Sequence, residues 1–269
     1  MRFKLYLRPT VQHQKLIFNY QYPLQAWLYG RLHTADAEYA RFLHEKGYKI
    51  AEGNKTFKHF TFSSLLNVKT APIKKGDSYM ILKNDVVEWV VSFCVDKAAE
   101  SFVVGLFQNQ QLSIYNRDHR ADFVVERVES VPSPAFGNAC TFRTISPLVL
   151  AEKLNGIDQY LSPSDEAFAR SFAVNLWDKY RSLQAEPVMQ LGFEAALHLV
   201  KFELLSEPDR IKKRGFLAKE GKENLQTKVI GYHNFTFKVT APPELLEVGY
   251  LGGFGKYCSM GCGCADVVG

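Results

Sequence analysis

"GYLGGFGKYCSMGCGCADVVG" occupies residues 249–269, with glycines at 252, 253, 255, 261 and 263. Glycine permits positive φ and close approach of a second group. The segment is therefore either a ligand cradle or a tight structural turn. Its context separates the two. Upstream, "PELLEVGY" (243–250) reads as a short helix; downstream, "GCADVV" (263–268) reads as a closing strand. Dinucleotide and P-loop motifs need the strand first and the helix after. Neither G-x-G-x-x-G nor G-x-x-x-x-G-K-[ST] can be read in the segment. What remains is a loop on an α+β scaffold, able to lay amide N–H groups against a phosphodiester backbone.

The rest of the chain supplies that scaffold. "RFKLYLRP" (2–9) alternates with period two and predicts a strand. In "PLQAWLYGRLH" (23–33), Leu24, Leu28 and Leu32 share one helical face. "TADAEYARFLHEKG" (34–47) predicts a second helix, capped by Thr34 or Asp36 and ended by Gly47. "FKHFTFSSL" (57–65) predicts an aromatic-rich strand, and "SYMILKN" with "VVEWVVSFC" (78–84, 86–94) a hairpin. A helix over 97–107, with Ala98, Phe102 and Leu106 in register, and strands over 111–116 and 121–131 complete the half. "PSPAFGNA" (132–139) has linker composition. Beyond it the scheme recurs: strand 140–151, helix 164–183, strand 195–205, a long hairpin with its continuing strand over 216–242, helix 243–250 and strand 263–268. The order in each half predicts an α+β protein of two tandem ferredoxin-like (RRM-like) domains, 1–131 and 140–269.

Composition agrees with a globular chain. It has 269 residues, 46% of them hydrophobic, and a mean hydropathy of −0.16. No apolar run reaches the roughly 18 residues of a membrane span, and "MRFKLYLRPT" does not read as a signal peptide. The expectation is a cytoplasmic protein with no membrane partner. Five cysteines, an odd number, fit free thiols in a reducing compartment. Cys258, Cys262 and Cys264 lack a second paired unit, so no metal site and no cofactor are expected. Net charge is +5. The window 210–228 alone holds seven basic and two acidic residues, equal to the whole excess. Lys212, Lys213, Arg214, Lys219 and Lys222 within it are either a polyanion site or a solvated hairpin face.

Four blocks give a family resemblance: "RFKLYLRP" with "YPLQAWLYGRL", "AEYARFLHEKG" with "KHFTFSSL", "FRTISPLVL", and "ELLEVGYLGGFGKYCSMGCG". In that order they resemble the CRISPR-associated endoribonucleases that cut repeat RNA, the Cas-six family, over the whole chain. The last block is the most specific. It departs from the family at Lys256, where glutamate is common, at Tyr257 and Cys258, where Lys-Asn is common, and at Cys262, where an aromatic is common.

The resemblance implies metal-independent cleavage in which a 2′-hydroxyl attacks the adjacent phosphate, leaving 2′,3′-cyclic phosphate and 5′-hydroxyl ends. Such a reaction needs proton transfer and positive charge at the phosphorane. His44 matches the family's catalytic histidine, and the carbonyls left unpaired at a helix end attract positive charge. Tyr29 matches its active-site tyrosine; the bland reading is an aromatic packed beside Trp27. Lys58 matches its lysine, with Lys55 and His59 as close competitors and His33 as a second histidine. Gly252, Gly253, Gly255, Lys256, Ser259 and Gly261 would join the basic window in holding RNA. The implied partner is CRISPR repeat RNA, with other CRISPR-associated proteins and a homodimer left open. A non-catalytic RNA-binding subunit of the same fold is the alternative.

Overall fold

The computed structural model describes residues 1–50, 55–184, 193–217 and 228–268. Alternation makes the first strand, β1 (Arg2–Pro9): Phe3, Leu5 and Leu7 face inward and are buried. Two helices follow, α1 (Gln21–Ala35) and α2 (Ala37–Glu45). Leu24, Leu28 and Leu32 of α1 are fully buried, as the i, i+4, i+8 spacing requires. Asp36 caps α2 by accepting the Tyr39 amide N–H at 2.9 Å. Gly47 ends that helix at φ +67°, a conformation open to glycine without penalty.

The chain then lays down β2 (Phe60–Phe62), β3 (Val87–Phe93), α3 (Asp96–Gln108), β4 (Gln111–Tyr115) and β5 (Arg120–Val131). They form one antiparallel sheet in the order β2-β3-β1-β5-β4. Residues 78–84 do not pair with 86–94. Tyr79–Ile81 instead pairs with Lys15–Ile17. The cause is Asn84, whose side chain accepts the Lys69 amide and donates to the Asn67 and Val86 carbonyls. It turns the chain outward and frees β3 for the sheet centre, where Trp89, Val91 and Phe93 are fully buried.

The second half carries β6 (Ala139–Thr144), β7 (Ala151–Leu154), β8 (Ile157–Tyr160), α4 (Glu166–Arg181), α5 (Phe193–Leu199) and β9 (Lys201–Leu204). Next come β10 (Lys212–Leu217), β11 (Lys228–His233), β12 (Thr236–Thr240), α6 (Pro243–Gly252) and β13 (Ala265–Val267). The main sheet runs β9-β12-β6-β13; β7 with β8, and β10 with β11, form separate hairpins. Two expectations are corrected here. The apolar residues of 195–205 belong first to a helix, because Ala196 and Val200 are buried one turn apart, and only then to β9. The expected strand 140–151 stops at Thr144.

Each sheet has its own core. Phe3, Leu28, Trp89 and Phe102 belong to the first, Phe142, Phe172, Phe237 and Phe254 to the second. Fully burying one such side chain stabilises by about 1.5–3 kcal/mol. Polar contacts join the halves. The Arg2 guanidinium donates to the Ala265 carbonyl at 2.9 Å and pairs with Asp266. The Thr61 hydroxyl donates to the Cys262 carbonyl at 2.8 Å, and the Ser64 amide to the Ile145 carbonyl at 2.9 Å.

Candidate active site

Three elements converge where the halves meet. Tyr29 sits on α1 and is half-buried; His44 lies in the last turn of α2 and is exposed; Lys58 returns just before β2 and is half-buried. The Tyr29 ring meets the His44 ring edge-on, centroids 5.3 Å apart, and meets Phe60 at 5.6 Å. The Lys58 ammonium donates to the His44 carbonyl at 3.0 Å. That carbonyl is one of those a helix end leaves without an intrahelical partner. The three matched residues are therefore one cluster. Lys55 turns away to pair with Asp178 at 2.7 Å. His59 is buried, its Nε2 2.8 Å from the Ser182 hydroxyl.

A fourth side chain arrives from a distant part of the sequence, Ser259, which lies beside the Tyr29 phenol. Burial pushes Tyr29 up to about 12, so at neutral pH it is an O–H donor and not a base. Burial also holds Lys58 below the ordinary lysine range. The cluster combines an exposed imidazole, a neutral phenol and a partly desolvated cation.

It lies on the edge of a cleft of about 860 Å³ that both Lys58 and Ser259 line. Among the described residues, Lys58, Lys153, Arg170, Lys179 and Lys256 line this cleft, with Lys55 beside them in its pair with Asp178, and Glu152 is the one carboxylate among the lining side chains. Low-dielectric walls bearing one sign of charge concentrate the opposite sign.

The glycine-rich loop forms one wall. Four of its amides are engaged inside the fold: Phe254 N donates to Gly263 O, Lys256 N to Val149 O, Gly261 N to Cys258 O and Gly263 N to Pro147 O, all at 2.7–2.9 Å. Gly252, Gly253, Gly255 and Gly261 are buried. A Cβ on Gly255 would stand 2.5 Å from the Val149 carbonyl oxygen. At these four amides the loop is a packed turn, and Gly255 and Gly261 allow the close approach of Val149 and Phe62. Lys256 reaches the cleft while donating to the Ala151 carbonyl at 2.7 Å. Cys264 enters the core, fully buried.

The basic window divides. Lys212 and Lys213 are exposed on β10. Arg214 is a bracket between halves: it donates to the Phe18 carbonyl at 3.2 Å and lies over the Tyr20 ring at 5.2 Å. Lys219 and Lys222 fall outside the described residues. The sequence reading missed Lys153, Arg170 and Lys179 as cleft cations. Lys179 is buried on α4 and donates to the Gly253 carbonyl and to Cys258 Sγ. Nothing in its helical context marks it.

His59 carries a pH prediction. Burial, reinforced by the Lys179 ammonium, pushes its imidazole down from 6.5 to about 3. The unfolded chain takes up a proton below pH 6.5, and the folded chain does so only near pH 3. The stability this neutral imidazole contributes is complete above pH 6.5 and is lost as pH falls toward 3, by roughly 1.4 kcal/mol per pH unit. Urea unfolding of wild type and His59→Asn at pH 7, 5.5 and 4.5 should show a slope shallower by one proton in the variant. Asparagine tolerates the left-handed φ of +54° found there. Equal slopes would show that His59 is charged in the folded state.

Fold and site define a two-sheet α/β protein with an acid–base cluster beside a cationic cleft, an arrangement suited to a phosphodiester. Family models carry the assignment further. "CRISPR-associated protein Cas6, N-terminal" matches residues 15–129, and "CRISPR associated protein Cas6, C-terminal" matches residues 131–267. The chain belongs to the CRISPR-associated Cas6 family. It is similar to the CRISPR-associated endoribonuclease Cas6 1 of Methanocaldococcus jannaschii, 28% identical over 98% of this chain and 91% of the relative. The CRISPR-associated endoribonuclease Cas6 of Pyrococcus furiosus is 27% identical over 100% of this chain and 90% of its own. A solved structure described as "Characterization of a Cas6-related gene from Pyrococcus furiosus" superposes with a TM-score of 0.79 at 19% identity, covering 100% of this chain and 98% of that one.

Proposed function

We propose that this Cas6-family protein is an endoribonuclease that cuts CRISPR repeat RNA into guide RNAs by internal transesterification. The observation that carries the reading is the convergence of Tyr29, His44 and Lys58 on the edge of a cationic cleft. His44 takes the proton of the 2′-hydroxyl as its oxygen bonds to phosphorus, and the imidazolium returns that proton to the 5′-oxygen as the P–O5′ bond breaks. Tyr29, neutral at working pH, donates a hydrogen bond to a phosphate oxygen. Lys58 supplies the charge that offsets the pentavalent phosphorane. The cut leaves a 2′,3′-cyclic phosphate and a 5′-hydroxyl. No metal ion is needed for these steps, because the proton and charge roles are all held by side chains. Lys153 and Lys256 meet phosphates within the cleft, and Lys212 and Lys213 meet them on the exposed hairpin face.

The strand order supports a ferredoxin-like reading of each half. Both sheets run second, third, first, fourth among their four core strands, with helices after the first and third.

Incubating the protein with the host's repeat RNA in EDTA, then mapping the ends, tests the reaction. One cut per repeat with a cyclic-phosphate end is expected. Tight binding without cleavage would replace the enzyme by an RNA-holding subunit. Cleavage only with added divalent ion would overturn the metal-free chemistry.

A further inference from the structure

The β7–β8 hairpin is a rigid arm rising from the cleft wall. Asn155 and Gly156 form its turn, both at positive φ (+51° and +81°), as the tight hairpin turn that matches strand twist requires. Its base is fastened on several sides. Leu161 N donates to Leu150 O at 2.9 Å, the Lys256 ammonium to Ala151 O at 2.7 Å, and the Ser171 hydroxyl to the Glu152 carboxylate at 2.7 Å. Tyr160 packs with Tyr257 of the glycine-rich loop at the same base.

The arm ends in an apolar pad. Leu154 and Ile157 are directly opposite each other across the two strands, and they are 62% and 66% exposed. A single exposed aliphatic is ordinary. Two opposed across a free turn, where polar residues would cost nothing, call for an occupant. Neighbouring charge says which one. Successive strand side chains point to opposite faces. Lys153 lines the cleft, as Lys256 and Glu152 do, with Asp158 directly opposite it on the second strand; Leu154 and Ile157 are the next pair, at the tip. A strand of RNA leaving this cationic cleft past the tip would bring bases as well as phosphates to it. Aliphatic side chains serve as wedges between bases in other nucleic-acid complexes.

We propose that the tip of this hairpin contacts an unpaired base of the repeat RNA beside the cleft, with Leu154 and Ile157 against the base face and Lys153 on the adjoining phosphate. The proposal rests on the RNA-cleaving reading for its substrate, but its test does not need cleavage. The probe is the repeat RNA carrying 2-aminopurine at one position at a time, with a 2′-deoxy nucleotide at the mapped cut, or unmodified if no cut occurs.

One position should change fluorescence in the wild-type complex and stop doing so with Leu154→Ser/Ile157→Ser. Affinity should fall about tenfold, near the lower end for loss of a stacked base. The dependence of log affinity on log salt should keep its slope, since no cation is removed. Leu154→Phe with Ile157→Ser should restore the fluorescence change. Circular dichroism of all variants should match wild type, because both positions are exposed. Identical fluorescence at every position with unchanged affinity would overturn the proposal. A wild type that is dimeric by light scattering, made monomeric by the double serine variant with RNA binding intact, would overturn it too and assign the pad to a second copy. Failure of wild type to cut the unmodified RNA, with the fluorescence result intact, would count against the activity alone.

Discussion

His44→Ala should slow cleavage of repeat RNA by about 10²–10⁴ while leaving its affinity nearly unchanged. The imidazole is exposed at the end of α2 and edge-on to Tyr29, with Lys58 fixed to its own carbonyl. Such a group handles a proton in the transition state and contributes little to ground-state contact. Removing it also leaves the fold alone, since the core beneath is made by Leu43 and Phe60. The measurement is single-turnover cleavage alongside a filter-binding affinity. A variant that cleaves at the wild-type rate would end the assignment. A variant that loses affinity in step with rate would make His44 a binding residue. Tyr29 adds a check on the pH profile: with its phenol held at about 12, it should contribute no break to the rate below pH 10 or so.

The second large effect concerns stability. Gly261→Ala should destabilise by roughly 2–5 kcal/mol, a left-handed backbone cost of about 1–2 plus an overpacking cost of about 1–3. Gly261 has φ +79°, and a Cβ there would stand 2.3 Å from Phe62 Cε2. Phe62 is fully buried against Trp89, with ring centroids 5.5 Å apart, and cannot swing away. Gly137→Ala is the control, since nothing lies within 4 Å of its added Cβ. Urea midpoints of both variants at pH 7 decide the matter. A Gly261→Ala protein as stable as wild type but unable to bind RNA would return the glycine to the RNA-facing role expected from its sequence.

Local signals carried much of the fold and part of the site. The i, i+4, i+8 leucines of α1, the Asp36 cap and the alternation of β1 depend on neighbours a few residues apart, and all three are found as expected. His44 and Lys58 sit on either side of the Gly47 turn, so the matched motif already held both. The misreadings have physical causes too. In 195–205 a short apolar run fits a helix and a strand equally well, and the chain takes one and then the other. The Asn155-Gly156 pair is a strong hairpin signal, and reading 140–151 as one strand passed it over. The glycine-rich loop was illegible for a different reason. What it touches, Phe62, Val149 and Tyr29, is set by topology across about 110–230 residues of chain, and no window of sequence contains both sides of those contacts.

The meeting of Tyr29 with Ser259 also orders events during synthesis. Tyr29, His44 and Lys58 lie within 30 residues of one another and leave the ribosome together. Their partner at 259 follows 201 residues later. At about 5–20 residues per second, that gap lasts roughly 10–40 seconds. Through this interval the nascent chain carries these three side chains but neither Ser259 nor the glycine-rich wall of the cleft. A chain that stops short of Ser259 therefore carries Tyr29, His44 and Lys58 without the loop that completes their surroundings, and assembly of the cluster waits on translation of the glycine-rich segment.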